Sequence, residues 1–248
     1  MHIFNFLLFY PIFMSIYWIV GSIYYFFIKE KPFNRLLLVK SEHQQVEGIS
    51  FLLACYNESE TVQDTLSSVL SLEYPEKEII IINDGSSDNT AEIIYDFKKN
   101  HDFKFVDLEV NRGKANALNE GIKQASYEYV MCLDADTVID DDAPFYMIED
   151  FKKNPKLGAV TGNPRIRNKS SILGKIQTIE YASIIGCIKR SQSLAGAINT
   201  ISGVFTLFKK SALKDVGYWD TDMITEDIAV SWKLHLFDYE IKYEPRAL

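Results

Sequence analysis

Asp134 and Asp136 end the segment Tyr129-Val-Met-Cys-Leu-Asp-Ala-Asp136, and their spacing raises the first chemical question. Alternate residues of an extended chain point to one side, so both acids can face a single ligand. Two hard oxygen donors suit Mg²⁺ or Mn²⁺, with a substrate's phosphates completing the shell. A lone Asp-x-Asp would more simply be a solvated acidic turn. A further acid argues against that reading: Asp84 closes the apolar run Ile79-Ile-Ile-Ile82-Asn83 and is followed by Gly85-Ser-Ser87. Lys114, in Asn111-Arg-Gly-Lys-Ala-Asn-Ala-Leu-Asn119, falls at the start of an expected helix, where free N–H groups and an ammonium can meet a diphosphate. Thr225-Glu226-Asp227 opens a late helix, with Thr225 a fair N-cap and two acids favoured by the helix dipole. Taken alone, those acids need only be a cap.

The elements that would position these groups alternate. Tyr129–Leu133 has the apolar, β-prone character of a strand buried on both faces, Ile49–Ala54 and Ile79–Asn83 read as buried strands, and Phe103–Leu108 and Leu157–Thr161 as further strands. Helical patterns separate them, with Val62, Leu66, Val69 and Leu70 on one face of the first and Ile93, Ile94 and Phe97 inward on the second. Asn57 and Glu60 stand three apart, as in a capping box. Asp140-Asp-Asp142 before Pro144 suits an exposed helix N-terminus. The pattern predicts an α/β fold with a parallel sheet and helices on both faces, and ligands bind beyond the carboxyl ends of such strands. From Gly162 the character changes. A basic turn, Asn163-Pro-Arg-Ile-Arg167, leads into a helical stretch from Ser170 to Ser191 with Ile172, Ile176, Ile179 and Ile184 spaced for burial. An extended run, Ile201–Phe208, follows, and Ile228, Trp232 and Leu236 continue an apolar stripe on the last helix.

Composition excludes several classes. The 248 residues carry a formal charge of −8, which argues against a nucleic-acid partner. Cys55, Cys132 and Cys187 lack metal-ligand spacing and read as reduced thiols, and the four histidines are scattered. No Gly-x-Gly-x-x-Gly follows the first strand, so a dehydrogenase is disfavoured, and Gly113-Lys114 lacks the upstream glycine of a P-loop. Ile3–Ile28 contains no charge and is long enough as a helix to cross a hydrocarbon core of roughly 30 Å with some tilt. Lys29, Lys31, Arg35 and Lys40 follow it, so the positive-inside rule places the rest of the chain in the cytoplasm, at the cell membrane.

Together, Asp84, Asp134-x-Asp136 and Thr225-Glu-Asp227 resemble the motifs of processive, inverting family-2 glycosyltransferases, from Gly48 to Leu248. The resemblance implies a GT-A nucleotide-sugar-binding sheet with flanking helices, preceded by one N-terminal transmembrane helix. It implies that Tyr56, Glu58 and Asp84 contact the donor's uridine, that Lys114, Asp134 and Glu226 lie at the substrate, that Asp136 with Asp134 binds Mg²⁺ or Mn²⁺, and that Asp227 is the catalytic base. Val160-Thr-Gly-Asn-Pro-Arg-Ile-Arg167, Gly174-Lys-Ile-Gln177, Glu180-Tyr181, Ile184-Ile-Gly186 and Ile188-Lys-Arg190 narrow it to the synthases of N-acetylglucosamine polymers in bacterial biofilm matrix. That branch implies UDP-GlcNAc as donor, a growing β-1,6-linked polysaccharide as acceptor, the membrane, and a small membrane accessory subunit as partner. It also implies continuation beyond Leu248 into a Gln-x-x-Arg-Trp motif and further membrane helices. The organisation expected is a membrane helix (1–28), a connector (29–47), a donor half (48–163) and an acceptor and base half (164–248). A cellulose-, chitin- or hyaluronan-type synthase, and a non-catalytic nucleotide-binding fragment, are the alternatives. A sugar nucleotidyltransferase would want a Gly-rich, basic loop near the first strand instead.

Overall fold

A computed structural model describes residues 2–31, 46–135, 137–166 and 171–248. Asp136, Arg35, Lys40, Arg167 and Ser170 therefore lie outside the described residues, as does most of the expected connector. The globular part is built on β1 (Ile49–Cys55), α2 (Val62–Ser71), β2 (Lys77–Asp84), α3 (Thr90–Lys98), β3 (Lys104–Leu108), α4 (Lys114–Gln124) and β4 (Tyr129–Asp134). It continues through α5 (Ala143–Lys153), β5 (Leu157–Thr161), β6 (Phe205–Lys209), α8 (Lys210–Asp215), α9 (Glu226–Leu236) and β7 (Glu240–Tyr243). The helix α1 (His2–Tyr25) precedes them, and α6 (Ile172–Tyr181) and α7 (Lys189–Ala195) are joined through a π-helical stretch, Ala182–Ile188.

The seven strands form one sheet in the order β3-β2-β1-β4-β6-β5-β7. Within β1, Phe51 and Leu53 face the layer of α2, α3 and α5, while Leu52 faces the layer of α4, α8 and α9. Strand alternation thus divides the core into two clusters, one on each face. Each fully buried Leu, Ile or Phe contributes about 1.5–3 kcal/mol. Because β1 pairs with β2 on one side and β4 on the other, the chain reverses direction across the sheet at β1 and β4. A crevice opens at such a switch point, beyond the carboxyl ends of the strands.

The sheet is mixed, not parallel throughout. β6 runs antiparallel between β4 and β5, pairing Leu133 with Phe205 and Thr161 with Thr206. The five strands of the alternating pattern do run parallel to one another; the added strand is the extended run Ile201–Phe208, and an apolar extended run carries no information about direction. The reversal matters for function: β6 begins at the carboxyl edge of β4 and so delivers Ile201–Val204 beside Asp134. Asn57 does not cap α2. Thr61 precedes that helix, and its hydroxyl donates to Glu58 Oε2 at 2.5 Å.

The α6 stripe expected to be buried is exposed, and so is the apolar stripe of α9. Ile172, Ile176 and Ile179 on α6 are 79%, 56% and 71% exposed, and on α9 the stripe of Trp232 and Leu236 faces outward while Val230, Ser231 and Leu234 pack inward. Periodicity fixes which residues share a face, not what that face meets. The described N-terminal helix from Phe6 to Glu30 is long and apolar enough to cross a membrane. It packs along α7: Cys187 Sγ and Ser191 Oγ donate to the Trp18 carbonyl at 3.1 and 2.7 Å, and Arg190 pairs with Glu30 at 2.5 Å.

Candidate active site

One end of the site is stitched between two loops. Asn57, left-handed at φ 55°, donates its N–H to Ser86 Oγ at 3.0 Å and accepts from Ser87 N at 2.8 Å. Glu58 N donates to Thr90 Oγ1 at 2.8 Å and Ser59 N to Asp88 Oδ2 at 3.2 Å. Burial would raise the Asp88 carboxyl, but hydrogen bonds from Thr90 and Ser59 outweigh it and hold the group at about 2. Tyr56 is left exposed beside this seam, while the Glu58 side chain is turned to Thr61.

Asp84 is buried at the end of β2. Its Oδ1 accepts from Arg112 N at 3.1 Å and its Oδ2 from Gly113 N at 2.9 Å. Asp84 thus builds the floor on which the loop before α4 rests. That loop delivers Lys114, whose ammonium pairs with Asp134 and donates to the Gly203 carbonyl at 3.1 Å. Lys114 is therefore no stray surface lysine; it joins α4, the end of β4 and the strap before β6.

Asp227 approaches the same strap from α9. Its Oδ1 accepts from Ile228 N at 2.8 Å, and a Cβ placed on Gly203 would lie 3.5 Å from its Oδ2. The strap is fixed from below by buried hydroxyls. Ile201 N donates to Ser231 Oγ at 3.0 Å, Ser231 Oγ donates to the Asp227 carbonyl at 2.6 Å, and Ser202 N donates to Thr161 Oγ1 at 2.9 Å. Lys114, Gly203, Trp219, Glu226 and Asp227 line one small cavity. The structure therefore brings Lys114, Asp134, Glu226 and Asp227 together and places Tyr56, Glu58 and Asp84 along the neighbouring loops. Gly203, Ser202, Thr161 and Asn119, which clamps Trp219 through bonds of 2.8 and 3.2 Å, were not singled out by sequence. Small and polar residues in an apolar run are the only signal they leave.

Residues 50–217 match the family model for glycosyl transferase family 2. The chain belongs to glycosyl transferase family 2. Over its whole length this family-2 chain is 99% identical to a poly-beta-1,6-N-acetyl-D-glucosamine synthase of Staphylococcus epidermidis, and 77% identical to the protein of that name in Staphylococcus aureus strain COL. It spans 60% of the length of each. Among solved structures it resembles mannosyltransferase PcManGT of Pyrobaculum calidifontis, in complex with GDP-Man and Mn²⁺, at a TM-score of 0.67 and 20% identity over 94% of this chain and 64% of that one. It also resembles S. aureus TarS 1-349 in complex with UDP-GlcNAc, at a TM-score of 0.58 and 20% identity over 80% of this chain and 56% of that one. These likenesses establish the glycosyltransferase GT-A fold.

Among the described residues no group of three His, Cys, Asp or Glu side chains could hold a metal ion. Asp134 presents a half-exposed hard oxygen ligand at the sheet edge, and the Lys114 ammonium already places a positive charge on it.

Proposed function

We propose that this chain is the donor-binding and base-bearing part of a membrane-anchored, inverting N-acetylglucosaminyltransferase. It would transfer N-acetylglucosamine from UDP-GlcNAc to a growing β-1,6-linked polysaccharide of the biofilm matrix. The observation that carries this reading is the convergence of Asp134–Lys114 and Asp227 on Gly203, in a chain 99% identical to a synthase of that polymer. Sugar and linkage rest on that relative's name; the chemistry rests on the residues.

The Tyr56–Ser59 and Asp84–Asp88 loops would take the uridine. Lys114, at the start of α4, would meet the diphosphate, and its cation would offset the charge that builds on the departing UDP. Asp134 and Asp136 would hold Mg²⁺ or Mn²⁺, which when bound supplies Lewis-acid stabilisation of the same leaving group. Asp227 Oδ2, turned towards Gly203, would take the proton of the acceptor hydroxyl as it attacks the anomeric carbon. Such general-base help is typically worth ~10²–10⁴-fold. Attack opposite UDP converts an α-linked donor into a β-linkage. α1 would anchor the domain with its catalytic face in the cytoplasm, and a small membrane protein would be the accessory partner.

The reading is tested by incubating membranes that carry the protein at its relatives' full length with labelled UDP-GlcNAc. Polymer substituted at the 6-hydroxyl of N-acetylglucosamine is expected. Polymer linked through the 4-hydroxyl, or built only from another nucleotide sugar, would overturn it.

A further inference from the structure

Lys189 stands apart from the other lysines. It opens α7 with only 5% of its surface exposed, although lysines ordinarily extend their charge into water. Its ammonium reaches beneath the Ile201–Gly203 strap to Thr161 Oγ1 at 3.4 Å, the atom that also accepts from Ser202 N. The neighbouring Arg190 turns the other way, to Glu30 on the N-terminal helix and over the Tyr243 ring of β7. Lys114 is committed to Asp134. Among the described residues, Asp227 is the charge whose field opposes the effect of that burial on the ammonium.

We propose that Lys189 is the positioning residue of the catalytic base: its ammonium, held under the strap, is the counter-charge that keeps the Asp227 carboxylate set for the acceptor hydroxyl. The proposal rests on the reading of Asp227 as base. The geometry links it to that residue through Thr161, Ser202 and Gly203, beside which the Asp227 side chain lies. Burial pushes the ammonium down to about 7, with Asp227 opposing that fall, so the counter-charge is present below neutrality and lost above it.

In the full-length synthase, transfer should fall as pH rises through about 7. Lys189→Arg, whose guanidinium keeps its charge, should move that alkaline limb up by more than one pH unit. Lys189→Met should lower kcat about tenfold at pH 6.5, abolish the limb and leave KM for UDP-GlcNAc within about threefold. Unchanged pH profiles in both variants would overturn the proposal. A second readout needs no activity: the Tm difference between wild type and Lys189→Met against pH, measured with Asp227 intact and with Asp227→Asn. The folded Lys189 binds its proton less tightly than the unfolded one, at about 10.4, so wild-type stability should gain on Lys189→Met between about pH 7 and 10. Asp227→Asn should extend that window to lower pH. An identical window in both backgrounds would show that Lys189 does not sense Asp227. Absence of transfer from wild type would instead sink the functional reading, with the stability cycle still reporting the coupling.

Discussion

Gly85 offers a perturbation whose size can be worked out from the coordinates. It turns left-handed at φ +63° straight after Asp84, and a Cβ there would lie 2.4 Å from Asn111 N and 2.6 Å from the Val110 carbonyl carbon. Both are backbone atoms, so no rotamer change relieves the overlap, and Val110–Gly113 must move. That segment supplies the Arg112 and Gly113 N–H groups to Asp84. Hydrogen bonds to charged acceptors are worth about 1.5–3 kcal/mol each, and a left-handed non-glycine residue costs about 1–2 kcal/mol. With one of the two bonds lost, Gly85→Ala should therefore destabilise the fold by about 2.5–5 kcal/mol, at the upper end for a single substitution. Gly113→Ala is the comparison: nothing lies within 4 Å of the added methyl, so only the backbone strain at φ +90°, ψ 159° applies, about 1–3 kcal/mol. Urea unfolding followed by tryptophan fluorescence measures both. UDP titration by calorimetry should show more than a tenfold weakening for Gly85→Ala, because the displaced loop carries Lys114, and less than threefold for Gly113→Ala. Equal losses in the two variants, or less than 1 kcal/mol for Gly85→Ala, would refute the account of Asp84 as the floor of that loop.

Other expectations follow from the same contacts. Asp136→Ala should abolish the tightening of UDP binding by Mn²⁺ in calorimetry, with Asp134→Ala equal or smaller in effect; unchanged metal dependence in both would reassign the ligands. Burial would raise the Glu78 carboxyl, but Lys104, Ser50 and Ser126 outweigh it and hold the group at about 2. Its contribution is present above the unfolded value of about 4.3 and lost as pH falls through 2, worth about 1 kcal/mol after allowance for the exposed Lys104. Glu78→Gln should accordingly flatten the decline of Tm between pH 5 and 2, and an unaltered decline would dismiss the pairing. Residues 1–248 alone should bind UDP-GlcNAc and hydrolyse it at most slowly without making polymer, since a polysaccharide's hydroxyls need a polar path enclosed by several helices. Long labelled chains from that piece would contradict this.

The placement of Asp84, Lys114 and Asp134 was legible because each sits at the end of an apolar run or the start of a helix. Asp84 and Asp134 each close a strand, and Lys114 opens a helix, so local pattern fixed both type and place. Asp84 shows the limit: its position was readable, but not that two backbone N–H groups fill its carboxylate. The surroundings of Asp227 were harder. Nothing in Ile201–Phe208 says that the strand runs backwards, yet that reversal brings Gly203 between Lys114 and Asp227. Lys189 looks like any polar residue on a helix, and only the packing of α7 against Thr161 buries it. The stripes of α6 and α9 had the period of a core face, but no internal layer of the sheet remains for them to cover.

The central claim is that Asp227 takes the acceptor's proton at a site whose donor half works without it. The most direct measurement compares full-length wild type and Asp227→Asn for two quantities, UDP affinity by calorimetry and incorporation of labelled N-acetylglucosamine into polymer. The amide keeps the shape of the carboxylate but cannot accept the proton, so affinity should stay within about threefold while incorporation falls by at least ~10²-fold. Elongation by Asp227→Asn near the wild-type rate would contradict the account and remove Asp227 from the chemistry.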